Sequence, residues 1–160
     1  MNRYNLLSVT ALLLTFSILT FAQKPETGSV RGESEVEQLV REYFAAWQSS
    51  NVEKMKRVLH PKAKLFLPTH NNTLVAQTPS QLYANFRSND RHTRGVPPIE
   101  GALRITRTDV TGEAASVKLE VEYPTSNVVE HLSLMKFKDG WKIVSRVSSV
   151  KLEPARAKLD

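Results

Sequence analysis

Apolar and polar positions alternate most clearly between Gly112 and Val147. Val117, Leu119, Val121 and Tyr123 share one parity there, and Ser116, Lys118, Glu120 and Glu122 the other, the period-two mark of a strand buried on one face. Pro124-Thr125-Ser126-Asn127 breaks the run, and Val128 to Lys138 resumes it. Asp139-Gly140 can take the positive φ of a tight hairpin and leads into Trp141 to Val147. A further strand is predicted over Ile99 to Val110, turned into the next by Thr111-Gly112. The second half of the chain therefore reads as a four-stranded antiparallel meander.

The first half carries helical spacing instead. Ser34 and Glu37 have the spacing of a capping box, and Val36, Leu39, Val40, Tyr43 and Trp47 then fall on one face until Ser49-Ser50. Asn51 is placed to cap a short second helix with Val52, Met55 and Leu59 as its stripe, and Pro61 stops it. Lys62 to Leu67 reads as a strand closed by Pro68, His70-Asn71-Asn72 as a turn, and Thr73 to Ala76 as a short return strand. Thr78-Pro79-Ser80-Gln81 is a second capping box, with proline at the first helical position and Leu82, Tyr83 and Phe86 on the apolar face that follows. Helices grouped ahead of a meander predict an α+β domain in which a curved, mostly antiparallel sheet wraps three helices.

The amino terminus reads as an address. Arg3 precedes a charge-free run from Leu6 to Phe21, and Thr20-Phe21-Ala22 offers small residues at the two positions a signal peptidase reads. This predicts a signal peptide over 1–22, cleavage after Ala22 and a secreted or periplasmic protein with no stable membrane anchor; a retained anchor is the alternative. Residues 23–33, with Pro25 and two glycines, read as a flexible linker, 34–152 as the folded domain and 153–160 as a frayed tail. With no cysteine, the exported domain has no disulfide and no thiolate chemistry.

Charge and histidine spacing remove further classes. The net charge is +6, but Glu113, Glu120, Glu122 and Glu130 sit among dispersed basic residues, so no run tracks a nucleic acid backbone. His60, His70, His92 and His131 show no paired ligand spacing, so neither a metal nor a cofactor is predicted. No Gly-x-Ser-x-Gly turn or glycine-rich phosphate loop occurs. The polar loop carrying Arg87, Arg91, His92 and Arg94 reads as solvated.

Three stretches carry a resemblance. Val40-Arg-Glu-Tyr-Phe-Ala-Ala-Trp47 leads through a polar turn to Asn51-Val-Glu-Lys-Met55, Leu59-His-Pro-Lys-Ala-Lys-Leu65 runs a helix into a strand, and Leu132 to Val144 has the form of a last hairpin. Together they resemble the nuclear transport factor 2-like superfamily, the cone-shaped fold of ketosteroid isomerase and SnoaL-like cyclases, closest to the branch labelled lumazine-binding. The resemblance covers Ser34 to Val150 and implies the fold; activity varies widely across such a superfold.

The isomerase branch implies a test of chemistry. Its oxyanion tyrosine falls on Tyr43, but its base falls on Leu67 and its second donor on Ser133, so the constellation is incomplete. If Ser133 faces the cavity, as the resemblance implies, strand parity puts His131 and Met135 there and Glu130 on the opposite face. Three readings follow. The first is an exported domain that binds a small apolar or aromatic molecule through Tyr43, Trp47, Leu65, Leu67, His131, Ser133 and Met135. The second is a dehydratase- or isomerase-type enzyme using His131 with Tyr43. The third is a scaffold that forms a homodimer through the outer face of its sheet.

Overall fold

A computed structural model describes residues 27–68, 73–88 and 100–152. The export segment, the turn at His70-Asn71-Asn72, most of the Arg87–Pro98 loop and the tail all lie outside the described residues. Helix α1 spans Thr27–Gln48 and α2 Val52–Val58, followed by strands β1, Leu59–Pro68, and β2, Leu74–Gln77. Helix α3 spans Pro79–Ser88, and the meander consists of β3, Ala102–Thr111, β4, Ala114–Tyr123, β5, Ser126–Phe137, and β6, Gly140–Leu152. The six strands form one sheet in the order β2-β1-β6-β5-β4-β3, antiparallel throughout except where β1 runs parallel to β6. This is the α+β cone expected from the element order.

The local signals explain most boundaries. Asn51 Oδ1 accepts from the Lys54 backbone at 2.8 Å, capping α2. At α3 the reciprocal capping pair is present, with Thr78 N–H donating to Gln81 Oε1 at 2.8 Å and Gln81 N–H to Thr78 Oγ1 at 3.3 Å. Helix α1 ends in a Schellman arrangement: Asn51 N–H reaches Ala46 O at 2.9 Å and Ser50 N–H reaches Trp47 O at 3.1 Å, with Ser50 in the left-handed region at φ 49°. Gly112 and Gly140, at φ 58° and 104°, close the two hairpins flanking β4 and β5.

Residues 27–33 are not a linker. Helix α1 begins at Thr27, so the exposed Ser34 lies inside it rather than at its start. The extra turns are held against the sheet. A Cβ on Gly32 would stand 3.1 Å from Val110 Cγ1, so glycine permits the close approach to β3, and Glu35 pairs with Lys136 of β5 at 3.0 Å. That charged contact and the pair Arg31–Glu35, at 3.2 Å, tether a segment whose composition alone reads as flexible.

The core lies between α1 and the concave side of the sheet. Val36, Val40, Tyr43 and Ala46 of α1 meet Val117, Leu119, Leu132, Leu134 and Ile143. Strand β6 changes face midway: Ser133 pairs with Ser145 but Leu134 with Ile143, so Val144 is the extra residue of a β-bulge. Before the bulge Trp141 and Ile143 point inward; after it Arg146 and Ser148 do, and Val147 is left outside.

Candidate functional site

The bulge sets the site, because it turns a charged side chain into an apolar interior. Arg146 is wholly buried, and Glu130 and Ser148 are nearly so; these are the buried polar and charged residues among those described. They are neighbours by sheet register, Glu130 opposite Ser148 and Leu132 opposite Arg146. Tyr43 comes down on them from α1. Its hydroxyl donates to Glu130 Oε2 at 2.9 Å and accepts from Arg146 Nη1 at 3.0 Å, while Ser148 Oγ donates to Glu130 Oε1 at 3.0 Å. Arg146 Nη1 also lies 3.5 Å from Glu130 Oε1. One turn along α1, Trp47 spreads its ring over the guanidinium, 4.5 Å from ring centre to the guanidinium carbon.

This quartet forms the floor of a cavity of about 410 Å³. Phe44, Trp47, Leu67, Tyr123, Val128 and Val150 supply apolar and aromatic walls. A hollow of about 480 Å³ elsewhere, around Arg104, Glu120 and Lys151, has no buried polar side chain and is walled by exposed and half-buried ones, with Val121 beneath. Buried polar groups converging on an apolar cavity mark a recognition site better than volume does.

The chemistry of the floor is constrained. Both Glu130 oxygens already accept hydrogen bonds, and the Tyr43 hydroxyl is engaged as donor and acceptor. Burial would lower the pKa of Arg146, but Tyr43 and Glu130 outweigh it and raise the value, so the guanidinium keeps its charge. Its Nε and Nη2 are buried and meet no acceptor among the described residues. Among those residues no group of three potential metal ligands occurs.

Burial, then the charge of Glu130, pushes the Tyr43 hydroxyl well above the ordinary tyrosine range. Folded Tyr43 thus keeps a proton that the unfolded chain releases above about pH 10, so the unfolded state binds fewer protons there. The linkage contribution is level below that pH and turns against folding as pH rises through it. Tyr123 is displaced in the same direction, by burial and then by Glu130. Denaturant titrations across the alkaline range should therefore show a shallower loss of stability for Tyr43→Phe than for the native protein, with some slope remaining. Equal slopes would mean that Tyr43 does not titrate in the unfolding transition.

Of the residues singled out from the sequence, Tyr43, Trp47 and Leu67 border the cavity, and Leu65 is in the core. His131, Ser133 and Met135 do not border it. They lie on the exposed outer face of β5, Met135 at 46% exposure, and the expected cavity placement is corrected. The reason is parity: Leu132 and Leu134 take the interior against β4, where Leu132 pairs with Val117, and their odd-numbered neighbours must point out. Glu130 is on the opposite face from His131, as expected, but that face is the inner one. His131 and Tyr43 are thus on opposite sides of the sheet, which removes the pairing the enzyme reading required. Arg146 and Ser148 were not singled out; the signal available for Glu130 was a lone charge in the series Val128, Glu130, Leu132, Leu134.

Comparison with known proteins gives a consistent picture. Residues 31–149 match the family described as "Putative lumazine-binding". Among solved structures, a nuclear transport factor 2-like protein of unknown function from Shewanella baltica superposes with a TM-score of 0.66 at 18% identity, covering 76% of this chain and 95% of that one. A similar protein from Methylobacillus flagellatus gives 0.61 at 25% identity, covering 77% and 94%. A ketosteroid isomerase-like protein from Erwinia carotovora atroseptica gives 0.58 at 14% identity, covering 74% and 95%. A search of curated proteins returned no match.

Proposed function

Because the chain belongs to the Putative lumazine-binding family of the nuclear transport factor 2-like superfamily, we propose that it is an exported domain that binds a small, flat, largely apolar molecule in the cavity above Arg146. One observation carries this reading: a fully buried arginine, with Trp47 on its face and two donor nitrogens unserved, beside a cavity walled by aromatic side chains. A buried ion pair is often no better for stability than well-packed apolar residues of the same volume. Its position beside a cavity is better accounted for by recognition than by folding.

Binding is favoured over turnover. A general base must lie within hydrogen-bond reach of the proton it abstracts, whereas the nearly buried Glu130 carboxylate is turned towards Tyr43, Ser148 and Arg146. The position matching the isomerase base is Leu67, which lines the cavity with hydrocarbon. Export rests on the charge-free run Leu6 to Phe21 and the small residues Thr20 and Ala22. A homodimer through the sheet has support in Met135 and Val147, which stand exposed on its outer face.

Native mass spectrometry of the protein from Gln23 onward, purified gently from its own export compartment, tests all of this at once. The expected spectrum shows an added small mass that is lost on denaturation. A protein that carries no added mass, and gains none when incubated with flat heterocycles, would count against the binding reading. The same spectrum shows the oligomeric state, and a monomer at high concentration would remove the dimer.

A further inference from the structure

The fold gathers at one end charges that the sequence disperses. Helix α2 carries Lys54, Lys56 and Arg57, all exposed, and the chain turns from it through His60 and Pro61 to the exposed Lys62. The β5–β6 hairpin comes up beside them. The His60 ring stacks on Phe137 at 4.8 Å, and Lys142 Nζ donates to Arg57 O at 2.7 Å. Lys138 stands exposed on the same hairpin. The carboxylates on these two stretches are Glu53, paired with Lys56 at 2.8 Å, and Asp139, paired with Lys142 at 3.2 Å. Lys54, Arg57, Lys62 and Lys138 are left with no ion pair among the described residues. Arg41, Arg104 and Arg107, elsewhere on the surface, each face a carboxylate, that of Glu37, Glu120 and Asp109 in turn. A compact group of exposed, unneutralised cations is drawn to an anionic surface at short range.

Two observations say which surface. The cations stand on a helix, a strand start and a hairpin, not along one groove of the kind that tracks a polyanionic chain. Helix α1 also begins at this end. Its Gly32 lies against Val110 and its Glu35 pairs with Lys136, near the far ends of β3 and β5, whereas Gln48 Nε2 reaches Gly101 O at 3.4 Å, just before β3 begins. The residues before Thr27, among them the charge-free run Leu6 to Phe21, therefore join the domain at its basic end. A chain exported through that run leaves the membrane with this end nearest to it, so the choice of partner rests on the export reading. The cavity is at the other end: Ser126, on its border, opens β5 and Phe137 closes it, about 35 Å away along an extended strand.

We propose that the end of the domain bearing Lys54, Arg57, Lys62 and Lys138 docks reversibly on the surface of an anionic phospholipid bilayer, with the cavity turned away from it. Co-sedimentation with vesicles tests this on the protein from Gln23 onward, which lacks the run that could itself insert. It should bind vesicles of equal parts phosphatidylglycerol and phosphatidylcholine, and not phosphatidylcholine alone. Raising sodium chloride from about 0.05 M to about 0.5 M shortens the Debye length about threefold and should release it. Each cation near the surface contributes about fivefold, so Lys54→Gln with Arg57→Gln and Lys62→Gln should weaken binding roughly a hundredfold. Arg104→Gln with Arg107→Gln and Lys118→Gln removes the same net charge from β3 and β4 and should cost less than about fivefold.

Equal losses in the two triple variants would overturn the docking surface, because net charge alone would then be felt. Failure to bind either vesicle, or equal binding to both, would overturn it as well. Release by inorganic polyphosphate at the same phosphate concentration would assign the cations to a polyanionic chain and overturn the membrane. The export reading fails separately, on a protein found inside the cell with residues 1–22 intact.

Discussion

Replacing Arg146 by alanine should lower the folding stability by about 3–5 kcal/mol, the usual cost of leaving one partner of a buried ion pair behind. Glu130 would keep Tyr43 and Ser148 as donors but lose its cation, and Trp47 would lose the guanidinium beneath it. The double variant Arg146→Met with Glu130→Leu should recover much of the loss, since it removes both charges and refills the space with hydrocarbon. Urea denaturation of Arg146→Met, Glu130→Leu and the double variant gives the coupling directly. Additive losses would mean that the pair is not coupled and that the floor is not the single network described here.

The second large effect separates the two faces of β5. Leu132→Ala should cost about 2–5 kcal/mol, as a buried leucine truncated in a packed core does. His131→Ala and Ser133→Ala, one residue to either side, should each stay within about 0.5 kcal/mol, as for surface positions. The same urea experiment reads all three. A large loss at His131 with a small one at Leu132 would mean that β5 is turned the other way and that the inner face holds a histidine.

The contrast shows which parts of this structure the amino-acid pattern could express. Alternation in Val117 to Tyr123, the capping pair at Thr78 and Gln81, and the glycines at the two hairpins each act over a few residues, so periodicity and turn chemistry are enough to read them. The start of α1 was not legible, because its first turns are held by Val110 and Lys136, far away in the chain.

The site failed for two separate reasons. On β5, the family resemblance implies Ser133 inside, against the plain preference of Leu132 and Leu134 for the core. A slip of one residue in a strand exchanges the whole face, so His131 and Met135 went with it. On β6, the bulge at Val144 has no local signature. Continuing the parity of Trp141 and Ile143 would put Val147 inside and Arg146 in solvent, the reverse of what the register imposes. A buried arginine is unexpected by composition and understandable only once Tyr43, Glu130 and Trp47 are seen around it. Tyr43 and Trp47 were legible because helical spacing puts both on the face of α1 that meets the sheet.

The most direct test of the binding site is a heteronuclear magnetic resonance titration of the protein from Gln23 onward with pteridine-2,4-dione. Binding at the proposed site should perturb the Trp47 indole, the Tyr123 ring and the Arg146 side chain while leaving His131, Ser133 and Met135 unmoved. Perturbations confined to His131, Ser133 and Met135 would place recognition on the outer face of the sheet and contradict the site described here.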